Sequence, residues 1–192
     1  MISIVKYNAG NIRSVKNALD RLGVDSNLTD DPAELKAADK VIFPGVGEAS
    51  TAMKYLSDRG LDQVIKNLEQ PFLGICLGMQ LMCKHSEEND TPCLGIFDVH
   101  VRRFPKTGLV PHMGWNSFTK VRGALFNKIE PNSDMYFVHS YYAEISESTI
   151  STTDYLIPFT SGLQRDNFYG VQFHPEKSAG VGQQLLENFL AL

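Results

Sequence analysis

A chain of 192 residues is long enough to bury a continuous core without metal or disulfide staples, and a single domain over residues 1–192 is the default expectation. Its 43% hydrophobic and 21% charged residues and formal net charge of -4 are those of a soluble globular protein, with no basic excess to attract nucleic acid. The apolar opening Met1–Tyr7 is much shorter than a secretory core and no run is long enough to cross a bilayer, so a cytoplasmic protein working on small molecules or proteins is expected.

In chain order, Ile2–Tyr7 reads as a short strand. Asn8–Asn11 then offers turn and cap residues for a helix carrying Ile12, Val15, Ala18, Leu19 and Leu22 on one face, ended by Gly23. Val24–Thr29 reads as a second strand, and Asp31, Pro32 and Glu34 take the N-cap, first-turn proline and capping-box positions of a helix through Ala38. Lys40–Phe43 is a third strand, followed by the loop Pro44–Gly47, helical segments over Ala49–Leu56 and Leu61–Leu68, a fourth strand at Pro71–Ile75 and a helix to about Lys84. This alternation predicts an α/β fold with a doubly wound, mostly parallel sheet flanked by helices. From Asp98 onward strands follow one another at Val99–Phe104, Ser117–Val121, Met135–Ile145, Thr149–Leu156 and Phe168–Phe173, an antiparallel or mixed extension. Ser178 caps a closing helix with Val181, Leu185, Leu186, Phe189 and Leu190 on its apolar side.

Three cysteines, Cys76, Cys83 and Cys93, are an odd number at irregular spacing, which argues for reduced thiols. Cys76 stands apart because Gly74-Ile75-Cys76-Leu77-Gly78 puts a thiol at a sharp strand-to-helix turn, the form of a nucleophile elbow. A free thiol with a pKa of about 8.5 is only a few per cent thiolate at neutrality, and a helix N-terminus stabilises the anion. The Leu77 N–H at the same turn can meet a developing oxyanion. His174-Pro175-Glu176 follows the apolar strand end Val171–Phe173 and offers a base with its orienting carboxylate. If the two strands lie side by side, both elements emerge at the carboxyl edge of the sheet, where ligands bind in such folds. A buried structural thiol and a structural histidine are the bland readings of each alone. The chance of both patterns arising together is on the order of one in several thousand.

Cys83, His85 and Cys93 lack metal-ligand spacing, and packing accounts for them better; no metal and no cofactor is expected. The Pro44–Gly47 loop lacks the Lys-Ser/Thr ending of a phosphate loop, so a backbone oxyanion donor at Val46 suits it better.

Through Pro44–Gly47, Gly74–Gln80 (GICLGMQ) and Gly170–Glu176 (GVQFHPE), the chain resembles the class I (triad) glutamine amidotransferases, a flavodoxin-like family. Within them it is most similar to the glutaminase subunits of imidazole glycerol phosphate synthases, through Tyr7–Ala18, Pro44–Glu48, Pro111–Asn116, Tyr136–Tyr142 and Gly170–Ser178. The resemblance implies a Cys76, His174 and Glu176 triad, oxyanion donors at Val46 and Leu77, and glutamine contacts from Gln80, Gly47, Ser140 and Tyr141. It also implies a (β/α)8-barrel cyclase subunit as partner, faced by Trp115, Asn116 and Lys177. Read by themselves, Gln80 would pass as a solvated helix residue and Trp115 as a core anchor. Glu48-Ala49-Ser50 and Gln183 depart from the family pattern at positions that touch packing. A stand-alone thiol hydrolase such as a γ-glutamyl hydrolase, another amidotransferase's glutaminase, and a silent binding module remain as alternatives; partner dependence and covalent labelling separate them.

Overall fold

The computed structural model describes residues 1–8 and 10–192. Ala9, within the turn expected at Asn8–Asn11, lies outside the described residues. Strands β1 (Ile2–Val5), β2 (Ser26–Thr29), β3 (Lys40–Gly45) and β4 (Phe72–Cys76) alternate with α1 (Ile12–Arg21), α2 (Pro32–Ala37) and the pair α3 (Ala49–Asp58) and α4 (Leu61–Lys66). Helix α5 (Leu77–Met82) leaves β4 without an intervening loop. The second half holds β5 (His85–Ser86), β6 (Thr91–Pro92), β7 (His100–Arg103), β8 (His112–Val121), β9 (Asp134–His139), β10 (Tyr141–Ala143), β11 (Thr149–Tyr155), β12 (Ile157–Arg165) and β13 (Phe168–Val171), before α6 (Ala179–Leu190) closes the chain.

The sheet runs β2-β1-β3-β4-β13-β12-β10-β7-β5-β6, with β11, β8 and β9 branching from β12. The first five strands are mutually parallel, and pairing turns antiparallel at β12. β1 and β4 are buried along their whole length, as parallel strands covered on both faces must be. One core packs α2, α3, α4 and α5 against the sheet through Leu35, Leu56, Leu61, Ile65 and Met79. The other packs α1 and α6 through Val15, Leu19, Leu185 and Phe189, and continues into the aromatic interior of the antiparallel strands at Phe118, Phe137 and Phe159.

Local chemistry explains most boundaries. Asp31 accepts the Ala33 and Glu34 N–H groups at 2.7 and 3.3 Å and so caps α2. The reciprocal half of the expected capping box is not made: the Thr29 hydroxyl takes the Asp31 N–H, and Glu34 instead accepts from Asn27. The strand expected over Met135–Ile145 is two strands broken at Ser140, and the one expected from Ser117 begins at His112. β12 lies where no strand was expected.

Candidate active site

Parallel pairing of β4 with β13 sets Ile75 opposite Val171, so the residues that follow each strand, Cys76 and the Gln172–His174 segment, emerge at the same carboxyl edge. Cys76 has φ 54 and ψ -110, a positive φ that a non-glycine residue adopts at a cost of about 1–3 kcal/mol and that here sets the thiol at the tip of the turn. Its Sγ lies 3.6 Å from the Gln172 Nε2 and 3.9 Å from the Val138 carbonyl. The turn is possible because α5 sits almost on the sheet: a Cβ added to Gly78 would lie 1.8 Å from the Phe43 carbonyl oxygen.

His174 is fully buried behind the thiol. Its Nδ1 donates to the Glu176 Oε1 at 2.8 Å, and the Asn11 amide, at the start of α1, bonds the same carboxylate oxygen. That leaves Nε2 as the buried nitrogen without a hydrogen-bond partner among the described residues, the one available to the thiol proton. Burial alone would lower the imidazole pKa, but Cys76 and Glu176 outweigh it and hold His174 above its ordinary value. The backbone is fixed as well. The Ser178 hydroxyl donates to the His174 carbonyl at 2.6 Å and accepts the Tyr136 N–H at 2.9 Å, so the residue expected to cap α6 anchors the histidine instead.

In front of the thiol lies a cavity of about 340 Å³ bounded by Val46, Gly47, Leu77, Gln80, Ser140 and Tyr141, with Glu88, Pro111 and His139 among its other walls. That volume is at the small end for ligand sites. Gly47 has φ +128, a conformation that a side chain would strain. Gln80 is 5% exposed, not solvated. Its amide donates to the Tyr141 carbonyl at 3.0 Å and to Gln172 at 2.8 Å, leaving its own oxygen as the atom free to meet a ligand.

Several residues here had no role assigned from the sequence. Asn11 supports Glu176, Gln172 bridges Gln80 and Cys76, and Glu88 brings a carboxylate to the cavity wall, raised by burial although it accepts the Ala49 N–H at 2.7 Å. The Tyr7 hydroxyl is buried without a partner among the described residues, and burial, with Cys76 nearby, pushes the phenol up. Tyr7 and Asn11 fall within Tyr7–Ala18 and Gln172 within Gly170–Glu176, but the sequence assigned none of them a role, and Glu88 lies in none of these segments.

The other thiols are packed. Cys83 donates to the Met79 carbonyl at 3.5 Å and Cys93 to the Thr91 carbonyl at 3.4 Å, and burial pushes both up, Cys93 to about 12. His85 bonds Asp90 instead of turning toward them. Trp115 is 56% exposed and edge-on to Tyr136, which rules out the core reading. Lys177 reaches over the same Tyr136 ring. Asn116 differs from its neighbour: its amide donates inward to His112 and to the Asp154 carbonyl, and its oxygen accepts the Ser117 N–H.

The model of the family described as glutamine amidotransferase class-I matches residues 4–192. The chain is 56% identical over 194 residues to a protein named imidazole glycerol phosphate synthase subunit HisH from Bacteroides fragilis, with 100% of this chain and 99% of that protein covered. A protein of the same name from Bacteroides thetaiotaomicron is 55% identical over 194 residues, with the same coverage. Two solved glutamine amidotransferases share the fold: one has a TM-score of 0.77 at 18% identity, covering 100% of this chain and 98% of that one. The other, from Thermotoga maritima, has a TM-score of 0.67 at 19% identity, covering 99% and 82%. With a family model spanning nearly every residue, and relatives more than half identical along their full length, the chain belongs to the class I glutamine amidotransferases.

Proposed function

We propose that this chain, acting as one domain, is the glutaminase subunit of an imidazole glycerol phosphate synthase, hydrolysing glutamine and handing ammonia to a (β/α)8-barrel cyclase subunit in histidine biosynthesis. The observation that carries the reading is the buried His174, bonded to Glu176 on one nitrogen and with no partner among the described residues on the other, behind a strained Cys76 that opens onto a small cavity. Relatives named as that synthase's subunit support the choice of pathway.

In this scheme the Cys76 thiol gives its proton to His174 Nε2 and the thiolate attacks the side-chain amide carbon of glutamine. The Val46 and Leu77 N–H groups receive the oxyanion, and His174 returns the proton to the departing nitrogen, releasing ammonia and leaving a glutamyl thioester. Water deprotonated by His174 then attacks the thioester; the C–S bond breaks, glutamate leaves and the thiol is restored. Glu176 holds the imidazole in the required tautomer throughout. Gln80, Gly47, Ser140 and Tyr141 form the walls that hold glutamine, and the Glu88 carboxylate is the wall group suited to its α-ammonium.

The partner's face is assigned to Trp115, Lys177 and the edge at Asn116. Met113, two residues before Trp115 on β8 and 63% exposed, extends the same apolar stripe. Ammonia passed directly across such an interface escapes protonation in bulk water. The test is turnover by the assembled synthase. Cys76→Ala is expected to abolish glutamine-dependent product formation while turnover with added ammonium salt persists; loss of both would overturn the scheme.

A further inference from the structure

Two buried histidines outside the triad form a hydrogen-bond chain whose proton positions are fully determined. His139 Nδ1 lies 2.7 Å from the Tyr141 carbonyl oxygen, which can only accept, so Nδ1 carries the proton. Burial forces His139 neutral, lowering it to about 3, so its Nε2 is an acceptor. His112 Nδ1 lies 3.0 Å from that Nε2 and must therefore be the donor. Burial also holds His112 neutral, lowering it to about 4, and its remaining Nε2 accepts the Asn116 amide at 3.2 Å. The Tyr141 carbonyl takes a second donor, Gln80 Nε2, whose other hydrogen goes to Gln172, and Gln172 in turn reaches the Cys76 sulfur. Each donated hydrogen in the run has its own acceptor, and the run joins the exposed strand that carries Trp115 to the wall of the cavity.

We propose that His112 and His139 are positioning residues for glutamine, a locked pair of neutral imidazoles that fixes the Tyr141 carbonyl and, through it, Gln80 and the Ser140–Tyr141 wall of the cavity. The inference rests on the glutaminase reading. The pair is also heavily packed: His112 stacks on Tyr155 at 3.9 Å and on Phe137 at 5.0 Å between ring centroids. A packing role and a hydrogen-bonding role make opposite demands on a replacement. Phenylalanine keeps the stack and loses both bonds. Asparagine loses the stack but sets its amide nitrogen near the place of Nδ1, where it can donate to His139; glutamine sets its amide near the place of Nε2 and restores only the Asn116 side.

The experiment measures glutamine KM and kcat for the synthase assembled with its cyclase subunit and carrying His112→Phe, His112→Asn or His112→Gln, with ammonium-dependent turnover of each complex confirming assembly. Loss of one oriented buried hydrogen bond corresponds to about a fivefold to tenfold effect. His112→Phe and His112→Gln are expected to raise KM by about that factor with kcat changed less than about twofold, and His112→Asn to stay within about twofold of the parent. Parent-like KM in His112→Phe with a raised value in His112→Asn would overturn the proposal in favour of packing, and equal values in all three would overturn it too. If His112→Phe does not assemble, the contrast between His112→Gln and His112→Asn decides alone. Absence of glutamine hydrolysis in the unsubstituted complex would instead overturn the glutaminase reading, and this inference with it.

Discussion

His174 is shut away from water, so its protonation is decided by its neighbours. Burial favours the neutral ring, and the Cys76 sulfur together with the Glu176 carboxylate tips it toward imidazolium. The ring so biased faces the sulfur that it is to deprotonate. Glu176→Gln preserves shape and removes one of the two favourable partners, which lowers the imidazole pKa and with it the thiolate population. Iodoacetamide alkylation of Cys76 near pH 7 should then slow by at least about tenfold, and the rise of rate with pH should move to higher pH. An unchanged rate profile would mean that the carboxylate only orients the ring.

At the scale of elements, the site depends on how closely α5 approaches β3 and β4. Its tightest point is Gly78, where an added Cβ would meet the Phe43 carbonyl oxygen, a backbone atom at the centre of the sheet that cannot swing aside. Gly78→Ala is expected to destabilise the fold by about 3 kcal/mol or prevent soluble expression. A melting temperature within about 2 °C of the parent would show that α5 can lift away. The same elements show what a sequence can reveal. Strands β1, β3 and β4 were legible because burial on both faces leaves dense apolar runs, interrupted in β1 only by the buried Ser3. β12 was not, because Thr160, Ser161 and Gly162 look like a loop. Their hydroxyls are buried but bonded across strands, Thr160 to Thr149 at 2.8 Å and Ser161 to Ser151 at 2.9 Å, and such pairs exist only once β11 and β12 have met. The break at Ser140 was hidden by the apolar run around it. The candidate site divides in the same way. Cys76, His174 and Glu176 form two short motifs whose chemistry can be read in place, whereas the parts played by Asn11, Glu88 and His139 show only once long-range pairing brings them to the site, even though Asn11 and His139 lie in segments that carry the resemblance.

Across the whole molecule, the parallel half holds Cys76, His174 and Glu176 at its carboxyl edge, and the antiparallel half supplies both the far wall of the cavity and the exposed stripe at Met113 and Trp115. The two faces of β8 are thus divided: His112 points into the aromatic core while Met113 and Trp115 point outward. A half-exposed tryptophan contributes little to folding and much to an interface. Trp115→Ala should therefore leave the unfolding free energy within about 0.5 kcal/mol of the parent and weaken binding to the cyclase subunit by about tenfold or more. Full affinity in this variant would move the interface elsewhere.

In the proposed scheme one sulfur, that of Cys76, is the nucleophile while Cys83 and Cys93 are inert. Treatment of the assembled synthase with a diazoketone analogue of glutamine, followed by peptide mass spectrometry, asks this directly. The expected result is a single adduct on Cys76, suppressed by excess glutamine, with Cys83 and Cys93 unmodified. An adduct on either of those thiols, or an unmodified Cys76 in a complex that still hydrolyses glutamine, would contradict it.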